Sequence, residues 1–496
     1  MNSSVSPDYM RRWEQQAFSQ GTSSLALMER AAQAILLELE AMAMYRGLET
    51  LKDARLLFLC GPGNNGGDGY AAARLAHEKG AKVSILSVME PRTPDAVTNA
   101  ARCGQLDIPI QNMQDDTDFS QFDLIIDALF GTGLSRPAQG LVARLMDSVN
   151  QARGPSVLAV DIPSGIDGLT GKASSAAIRA DRTITFQVPK HGLLLTDKET
   201  GSIITADIGL SNVALLPEHA EDLIQIAQAS DLPALLPPRP EKGNKGTFGR
   251  VLLYAGSVGM VGAAAMAVKA CLRSGAGLVT IVCGESIMPI LQTLVPGATC
   301  CLPEQAQGRP YDVLAVGCGL GQQEETWQRI LSLYDSGKPS VWDADALNML
   351  AKHPMHLGEN AVITPHPGEA ARLLGISPQD VAQDAVSAAK ALRERYGASV
   401  LLKNAVSVLY DGNRMAFNTA GSSALAKGGS GDALCGILAD VLAQQGQKEY
   451  LRAMQAASLW LGLSARKAEE THGAYSVLTM DVIDCMGPAL LSCENK

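Results

Sequence analysis

Apolar residues recur at helical spacing early in the chain. Leu25, Leu27, Met28, Ala31, Ala32, Ile35 and Leu36 fall on one stripe of SSLALMERAAQAILLELE, which predicts a helix with Ser23 or Ser24 as its N-cap. The pattern then changes to short continuous apolar runs, Leu56–Cys60, Val83–Val88, Leu124–Ile126, Val157–Val160 and Thr183–Phe186, separated by helix-length stretches. A strand that is apolar on both sides needs cover on both sides, and βαβ crossovers onto a parallel sheet supply it. A second series follows: Val251–Tyr254, Leu278–Val282, Val313–Val316, Ser340–Trp342, Val362–Thr364, Ser399–Leu402 and Val406–Leu409, with helices such as Gln379–Tyr396 and Asp432–Gln444 between. Between the two series, DLPALLPPRPEKGNK (Asp231–Lys245) has four prolines from Pro233 to Pro240, then glycine and charge, which reads as a linker. The expectation is two α/β domains, residues 1–225 and 226–496, each a three-layer αβα stack around an open sheet.

Composition narrows the class. The 496 residues suffice for two to four domains, and 46% hydrophobic with 19% charged residues excludes wholesale disorder. Lys and Arg number 41 against 51 Asp and Glu, a net charge of −10 without a basic run, so broad nucleic-acid or anionic-membrane binding is not expected. Of the ten cysteines only Cys300 and Cys301 are close in sequence, and no CxxC occurs; free thiols of a reducing cytosol are expected. The N-terminus lacks a signal-peptide pattern. The longest apolar stretch, Val261–Val282, is interrupted by Lys269 and Arg273 and is no membrane span. A cytoplasmic protein is expected.

In the first half a strand runs into GPGNNGGDG and emerges as a helix with Ala71, Ala72, Leu75 and Ala76 on its inner face. Glycines let the backbone approach a ligand, and a helix N-terminus favours phosphate; a plain tight turn is the alternative. LIIDALFGTGLSRP and VLAVDIPSGIDG end two further strands with Asp127 and Asp161. A single such aspartate is usually a cap or turn-former, but three polar loops at strand ends converge on one crevice in an open α/β sheet.

In the second half GGSGD leads directly into a helix bearing Leu434, Ile437, Leu438 and Val441. Its N-terminal amides can hold a transferring phosphoryl group, and Asp432 is placed either to accept a proton from an attacking hydroxyl or simply to complement the helix dipole. No GxxxxGK[ST] occurs, so the chain is no P-loop enzyme. His353 and His356 have metal-like spacing, but Pro354 lies between them and no further ligands cluster nearby, so a solvated loop is expected.

GPGNNGGDGYAAARLA, DALFGTGL, DIPSGIDGLTG and ADRTITFQ resemble the NAD(P)H-hydrate epimerase, or YjeF N-terminal, domain over roughly residues 8–215, with a Rossmann-like sheet. That resemblance implies a substrate site at Asn64, Asn65, Gly66, Gly67 and Asp68 and at Gly131, Thr132, Gly133, Leu134, Ser135, Arg136 and Pro137. It also implies that Asp161 contacts substrate and that Asn65, Asp127 and Ser164 surround K⁺; oxygen ligands suit a hard cation. The substrate is a nicotinamide ring hydrated at C6, and Asp161 either moves protons as general acid–base or orients a hydroxyl.

KGNKGTFGRVLLYAGS, GAGLVTI, GCGLGQ, WDADALN, TPHPGEAARLLG, LLKNAVSVLYDG and GGSGDALCG are similar to the ribokinase-like ADP/ATP-dependent NAD(P)H-hydrate dehydratase domain over about residues 240–490. By that resemblance Ala263, Gly319, Gly321, His366 and Asp432 contact the hydrated nucleotide, while Lys403, Asn404, Ala405, Val406, Ser407 and Gly431 contact ADP or ATP, with Mg²⁺ on the phosphates. Asp432 is the implied base, and Lys403 has a plainer reading as a surface cap of a strand. The family's usual KGA, GPGLG and TGN are here Lys403-Asn404-Ala405, Gly317-Cys318-Gly319-Leu320-Gly321 and Ala420-Gly421-Ser422. Together the two resemblances imply repair of NADHX and NADPHX: epimerisation of the R and S forms, then dehydration of the S form with ADP going to AMP and phosphate, in a homo-oligomer. The other function class is a vitamin or sugar-alcohol kinase carrying a non-catalytic N-terminal nucleotide-binding module.

Overall fold

A computed structural model describes residues 2–112, 117–133, 137–196, 198–211, 213–216, 222–335, 337–445 and 449–494. The chain forms two compact units, Ser3–Leu223 and Ile224–Lys496.

In the first unit the strand β1 (Asn2–Val5) is tied down by Ser4 Oγ, 2.9 Å from His191 Nδ1. The sheet is built from β2 (Arg55–Cys60), β3 (Lys82–Ser87), β4 (Ile110–Asn112), β5 (Leu124–Ala128), β6 (Ser156–Val160), β7 (Arg182–Phe186) and β8 (Ser202–Ala206). Its order is β4-β3-β2-β5-β6-β7-β8, all neighbours parallel. Alternate residues enter opposite cores. Leu56, Phe58 and Cys60 pack with Ile35, Leu39 and Tyr70, whereas Leu57 and Leu59 pack with Met146 and Val149. The helix expected after Ser23 runs from Ser24 to Tyr45, with Ser23 Oγ accepting from Ala26 N at 3.2 Å.

The second sheet contains β9 (Leu223–Ile226), β10 (Arg250–Tyr254), β11 (Leu278–Val282), β12 (Thr299–Cys301), β13 (Val313–Val316), β14 (Ser340–Trp342), β15 (Ala361–Ile363), β16 (Ser399–Leu402), β17 (Ser407–Tyr410) and β18 (Met415–Asn418). Its order within the unit is β12-β11-β10-β13-β14-β15-β16-β17-β18-β9. Strands from β12 to β16 are parallel, and β17 is antiparallel to both β16 and β18. The helices Val261–Ser274 and Ser430–Gln445 cross so closely that a Cβ on Gly436 would lie 2.0 Å from Ala267 O. On another part of the sheet Trp342 meets Trp327 and Tyr334 edge-on, with ring centroids 6.2 and 5.3 Å away.

Both sheets reverse their strand order in the same way, between β2 and β5 in one and β10 and β13 in the other, and a ligand crevice forms at the carboxyl ends of such strands. Three expectations are corrected. The Pro-rich stretch is not a linker: Leu232 and Leu235 are 0% and 3% exposed in the second unit's core. The sequence NNGGDG is not a loop but the opening of the helix Asn64–Glu78. Gln379–Tyr396 is two helices, Pro378–Gln383 and Ala385–Tyr396, because Asp384 leaves helical geometry to cap the second through Ser387 N at 2.9 Å.

Candidate active sites

In the first unit, strand-end loops and the helix Pro7–Ser19 line a cavity of about 540 Å³. Backbone crossings that only glycine permits shape it: a Cβ on Gly61 would lie 1.7 Å from Leu129 O, and one on Gly66 1.9 Å from Gly61 O. Asn64, Asn65, Asp68, Gly131, Thr132, Gly133 and Asp161 face this cavity. Gly66 and Gly67 are buried behind it, where a Cβ on Gly67 would strike the Met28 side chain at 2.6 Å. Pro137 is exposed; Leu134, Ser135 and Arg136 lie outside the described residues.

Asp161 follows β6 with φ of +65°, a conformation that costs a non-glycine residue energy and is retained where the surroundings enforce it. Its backbone N donates to Ile184 O at 2.7 Å, and its side chain is held by Lys190. The Lys190 ammonium, with the side chain only 3% exposed, is ion-paired to Asp161 Oδ1 and donates to Thr185 Oγ1 at 3.2 Å. Thr185 Oγ1 in turn donates to the same carboxylate at 3.3 Å. Across the cavity burial pushes Asp68 well above the usual carboxylate value, with the Asp161 charge adding to it. Burial likewise raises Glu14 to about 7 against the opposing pull of Lys190.

Beneath the floor Asp127, fully buried at the end of β5, accepts from Ser164 N at 2.8 Å and from Ser164 Oγ at 2.6 Å. Burial raises it to about 6 despite these donors. Ser164 Oγ also accepts from Phe130 N at 2.9 Å. Neighbouring Gly131 brings in Asn65: a Cβ on Gly131 would lie 3.3 Å from Asn65 Oδ1. Both polar side-chain atoms of Asn65 are buried without a hydrogen-bond partner, an expensive state for an amide. Orphaned amide oxygen, buried carboxylate and hydroxyl form a donor set suited to a hard cation.

In the second unit the site collects around Asp343, 1% exposed at the end of β14. Asp343 Oδ1 receives Lys403 Nζ at 2.6 Å and Thr364 Oγ1 at 2.9 Å. Glu369 Oε2 lies 3.9 Å from the same ammonium. Burial alone would lower Lys403, but Asp343 and Glu369 outweigh it and raise the lysine above its ordinary value. Lys403 is therefore no surface cap. A Cβ on Gly431 would stand 3.1 Å from Lys403 Nζ and 3.4 Å from Asp343 Oδ2, so the start of the helix Ser430–Gln445 packs closely against this ion pair.

Asp432, in the first turn of that helix, is raised to about 6 by burial and by the charge of Asp343, with the Cys318 thiol donating to it and Lys403 pulling the other way. Ligand atoms of Cys318, Asp343 and Asp432 lie within 4.8 Å of one another. Ala344, next to Asp343, holds φ at +49°. On the opposite rim a Cβ on Gly319, itself at φ +64°, would lie 2.9 Å from Ala263 Cβ, so those two expected substrate residues adjoin. Gly321 N donates to Asp345 Oδ2 at 2.9 Å.

His366 caps the helix Pro367–Leu374: its Nδ1 accepts from Gly368 N at 3.0 Å, and its own N–H donates to Glu369 Oε2 at 2.9 Å. The ring is half exposed beside Glu369 and stays available to a ligand. Asn404 and Ala405 are exposed, with Val406 and Ser407 partly so. Asn404 does not adopt positive φ, so asparagine in place of the usual glycine is unstrained. His353 stacks on Trp327 at 5.4 Å and meets Glu324 Oε2 at 3.2 Å, a surface arrangement. The ten cysteines are free thiols. No helix among the described residues is long and apolar enough to cross a membrane.

Sequence reasoning missed Lys190, Glu14, Asp343 and Glu369. The last two stood in quoted motifs without a role. A lysine directly after a strand, in VPKHG, was the one available sign of Lys190.

Comparison with known proteins places both halves. Residues 251–487 match the family model described as NAD(P)H-hydrate dehydratase, and residues 24–192 the model described as YjeF-related protein N-terminus. The chain is 34% identical over 484 residues to the bifunctional NAD(P)H-hydrate repair enzyme of Coxiella burnetii, covering 95% of this chain and 96% of the relative. It is 38% identical over 450 residues to the enzyme of the same name from Escherichia coli, covering 88% and 84%. Among solved structures it is similar to a ribokinase-like superfamily protein from Enterococcus faecalis, with a TM-score of 0.50 and 24% identity over 54% of this chain and 96% of that one, a likeness of fold.

Proposed function

The chain belongs to the bifunctional NAD(P)H-hydrate repair enzymes, and from that membership we propose how its two aspartate-centred sites divide the work. The first unit interconverts the R and S epimers of NADHX and NADPHX, and the second dehydrates the S epimer at the expense of a nucleotide. The observation that carries this division is that each unit holds its own buried lysine–aspartate pair at the strand ends, Lys190–Asp161 in one and Lys403–Asp343 in the other.

In the first site Asp161 is the acid–base group for the C6 hydroxyl, held in place by Lys190 and Thr185. The backbone of residues 64–68 and 131–133 receives the nucleotide. Asn65, Asp127 and Ser164 would hold K⁺; the orphaned Asn65 amide supports that fit. Bound there, the cation supplies the counter-charge that the buried Asp127 lacks.

In the second site Asp432 takes the proton of the C6 hydroxyl as that oxygen attacks the terminal phosphoryl group of ADP or ATP. Phosphate then leaves with the C6–O electrons, driven by the ring-nitrogen lone pair, and proton loss restores the dihydropyridine. Lys403 and the first-turn amides of Gly431 and Asp432 face the anionic group. Ala263, Gly319, Gly321 and His366 border the hydrated ring, and Asn404–Ser407 the adenine nucleotide. Mg²⁺ would be held through the nucleotide phosphates with the Asp343 and Asp432 carboxylates at hand, where it supplies charge neutralisation. The exposed Leu37, Met44 and Tyr45 on one helix support self-association into a homo-oligomer.

The test is recovery of NADH absorbance from mixed-epimer NADHX with Mg²⁺, K⁺ and either ADP or ATP. Complete recovery faster than spontaneous epimerisation is expected, and the effective nucleotide identifies the donor. Recovery stalling at the S fraction would remove the epimerase assignment. A stable phosphorylated product in place of free phosphate would favour a kinase.

A further inference from the structure

The motifs that define the first site leave out its N-terminal wall. That wall is the helix Pro7–Ser19, started by Ser6 Oγ accepting from Tyr9 N at 3.0 Å. It is fixed to the far end of the unit by Trp13 Nε1 donating to Val213 O at 3.2 Å and by Leu216 N donating to Tyr9 OH at 3.0 Å. Tyr9, Met10, Trp13 and Ala17 fill the core, while Glu14 turns into the cavity that Asp161, Lys190 and Asp68 also line. Among the described residues Glu14 has no hydrogen-bond or ion-pair partner. A part-buried carboxyl without a partner contributes nothing to folding that glutamine would not, and desolvation makes it costly. Its position on a rigidly anchored helix facing the reacting aspartate needs another explanation.

We propose that Glu14 is the second acid–base group of the epimerase site, serving the ring nitrogen N1 while Asp161 serves the C6 hydroxyl. This rests on epimerisation residing in the first unit. The hydrated ring is a hemiaminal, and inversion at C6 requires two protons to move. Asp161 takes the hydroxyl proton, the C6–N1 bond breaks with its electron pair going to N1 as the C6 aldehyde forms, and protonated Glu14 gives its proton to N1. After rotation about C5–C6 the flow reverses. N1 returns its proton to Glu14 and attacks the other face of the aldehyde, and the new alkoxide takes the proton back from Asp161. Substrate and both carboxyls end as they began, with C6 inverted and no further reactant consumed.

The two carboxyls stand in different surroundings. Asp161 is locked to the Lys190 ammonium. Glu14 faces Lys190 and Asp161 at the strand ends, Arg11 on its own helix and Asp68 on the glycine-rich helix, with Asp95 also at the cavity wall. Burial dominates these charges and brings Glu14 to about 7, so its proton is exchangeable near neutral pH.

The experiment uses the full chain and measures interconversion of separated R- and S-NADHX without nucleotide, across pH, in wild type, Glu14→Gln, Glu14→Asp and Asp161→Asn. Dehydration of S-NADHX by the same preparations serves as the internal reference. Glu14→Gln is expected to lose roughly 10²-fold or more in kcat, the range for a general acid–base group, with KM and the dehydratase rate unchanged. The wild-type limb near pH 7 should vanish in Glu14→Gln and persist, at reduced rate, in Glu14→Asp. A Glu14→Gln protein with wild-type kcat and the same limb, beside an inactive Asp161→Asn, would overturn the proposal while leaving the epimerase intact. A Glu14→Asp protein as slow as Glu14→Gln and equally without the limb would overturn it in favour of a packing role. A wild type that does not interconvert the epimers removes the epimerase assignment and the proposal together.

Discussion

At the scale of single residues, both sites place a carboxyl where its charge is costly, and this couples activity to stability. As the proposed base, Asp432 must be ionised, and burial raises it from 3.8 to about 6. Dehydration is therefore expected to fall about tenfold per pH unit below that value, and a pH–rate profile checks it. The folded state binds this proton more tightly than the unfolded chain, so the stabilisation it brings is complete below 3.8 and lost as pH rises through about 6. Asp432→Asn should thus lower kcat by roughly 10²–10⁴ yet raise the melting temperature at pH 8, a pairing that a merely structural aspartate would not give. Lys190→Met has the opposite sign. It strands the Asp161 carboxylate, and breaking such a buried pair costs roughly 3 kcal/mol. Thermal melts should show a destabilised first unit, and epimerisation should fall while dehydration persists. Asp127, Asp161 and Asp432 were legible in the sequence because each stands at a strand end or a helix start within a glycine-rich segment, whereas Asp343, in WDADALN, has no such marker. Lys190 and Glu14 were not legible either, because their roles depend on contacts between residues distant along the chain, and nothing local marks them.

At the scale of elements, the strands were legible where a continuous apolar run such as Leu56–Cys60 marks them, while the short buried strand β18, MAFN, carries no such run and was not read. The strand β4 was not read either: Ile110, Gln111 and Asn112 are all exposed at the sheet edge, so no hydrophobic pattern announces it. The helix expected after GPGNNGGDG was legible, but its start at Asn64 was not, for a different reason. Its first six residues include Gly66, Gly67 and Gly69, which helix propensity disfavours; tertiary packing overrides propensity because only glycine lets this turn lie against Gly61 and Met28. A matched pair of substitutions tests this. Gly66→Ala puts a Cβ 1.9 Å from the Gly61 carbonyl oxygen, so a loss above roughly 4 kcal/mol is expected, with epimerase activity gone and dehydratase activity kept. Gly63→Ala meets nothing within 4 Å at a φ of −97°, and should cost no more than about 1 kcal/mol as a weaker N-cap. Equal melting temperatures for the two would refute the crossing as the reason for glycine.

For the whole molecule, the question is where one folding unit ends and the next begins. Proline-rich DLPALLPPRPEKGNK reads as a linker over Asp231–Lys245, because proline and charge commonly mark one. The chain instead spends that segment on the second unit's core. Leu232 and Leu235 are buried, and the carbonyl of Leu235 accepts from Gln445 Nε2 at 2.8 Å and from Arg452 Nε at 3.1 Å. Just upstream, Gln225 and Ile226 of β9 pair in parallel with Ala416 and Phe417 of β18. Removing all of this exposes two leucines, worth roughly 2 kcal/mol each, and strips a strand from β18, against a total domain stability on the order of 5–15 kcal/mol. A fragment of residues 222–496 is therefore expected to fold and to dehydrate S-NADHX at the rate of the full chain, stalling when the S epimer is spent. A fragment of residues 240–496 should melt well below it and lose soluble activity first on warming. Should the shorter fragment match the longer in melting temperature and rate, the prolines would mark a true boundary and the buried leucines would be dispensable. If both fragments are inactive while the intact chain works, dehydration depends on the first unit, and the two sites do not function as separable units.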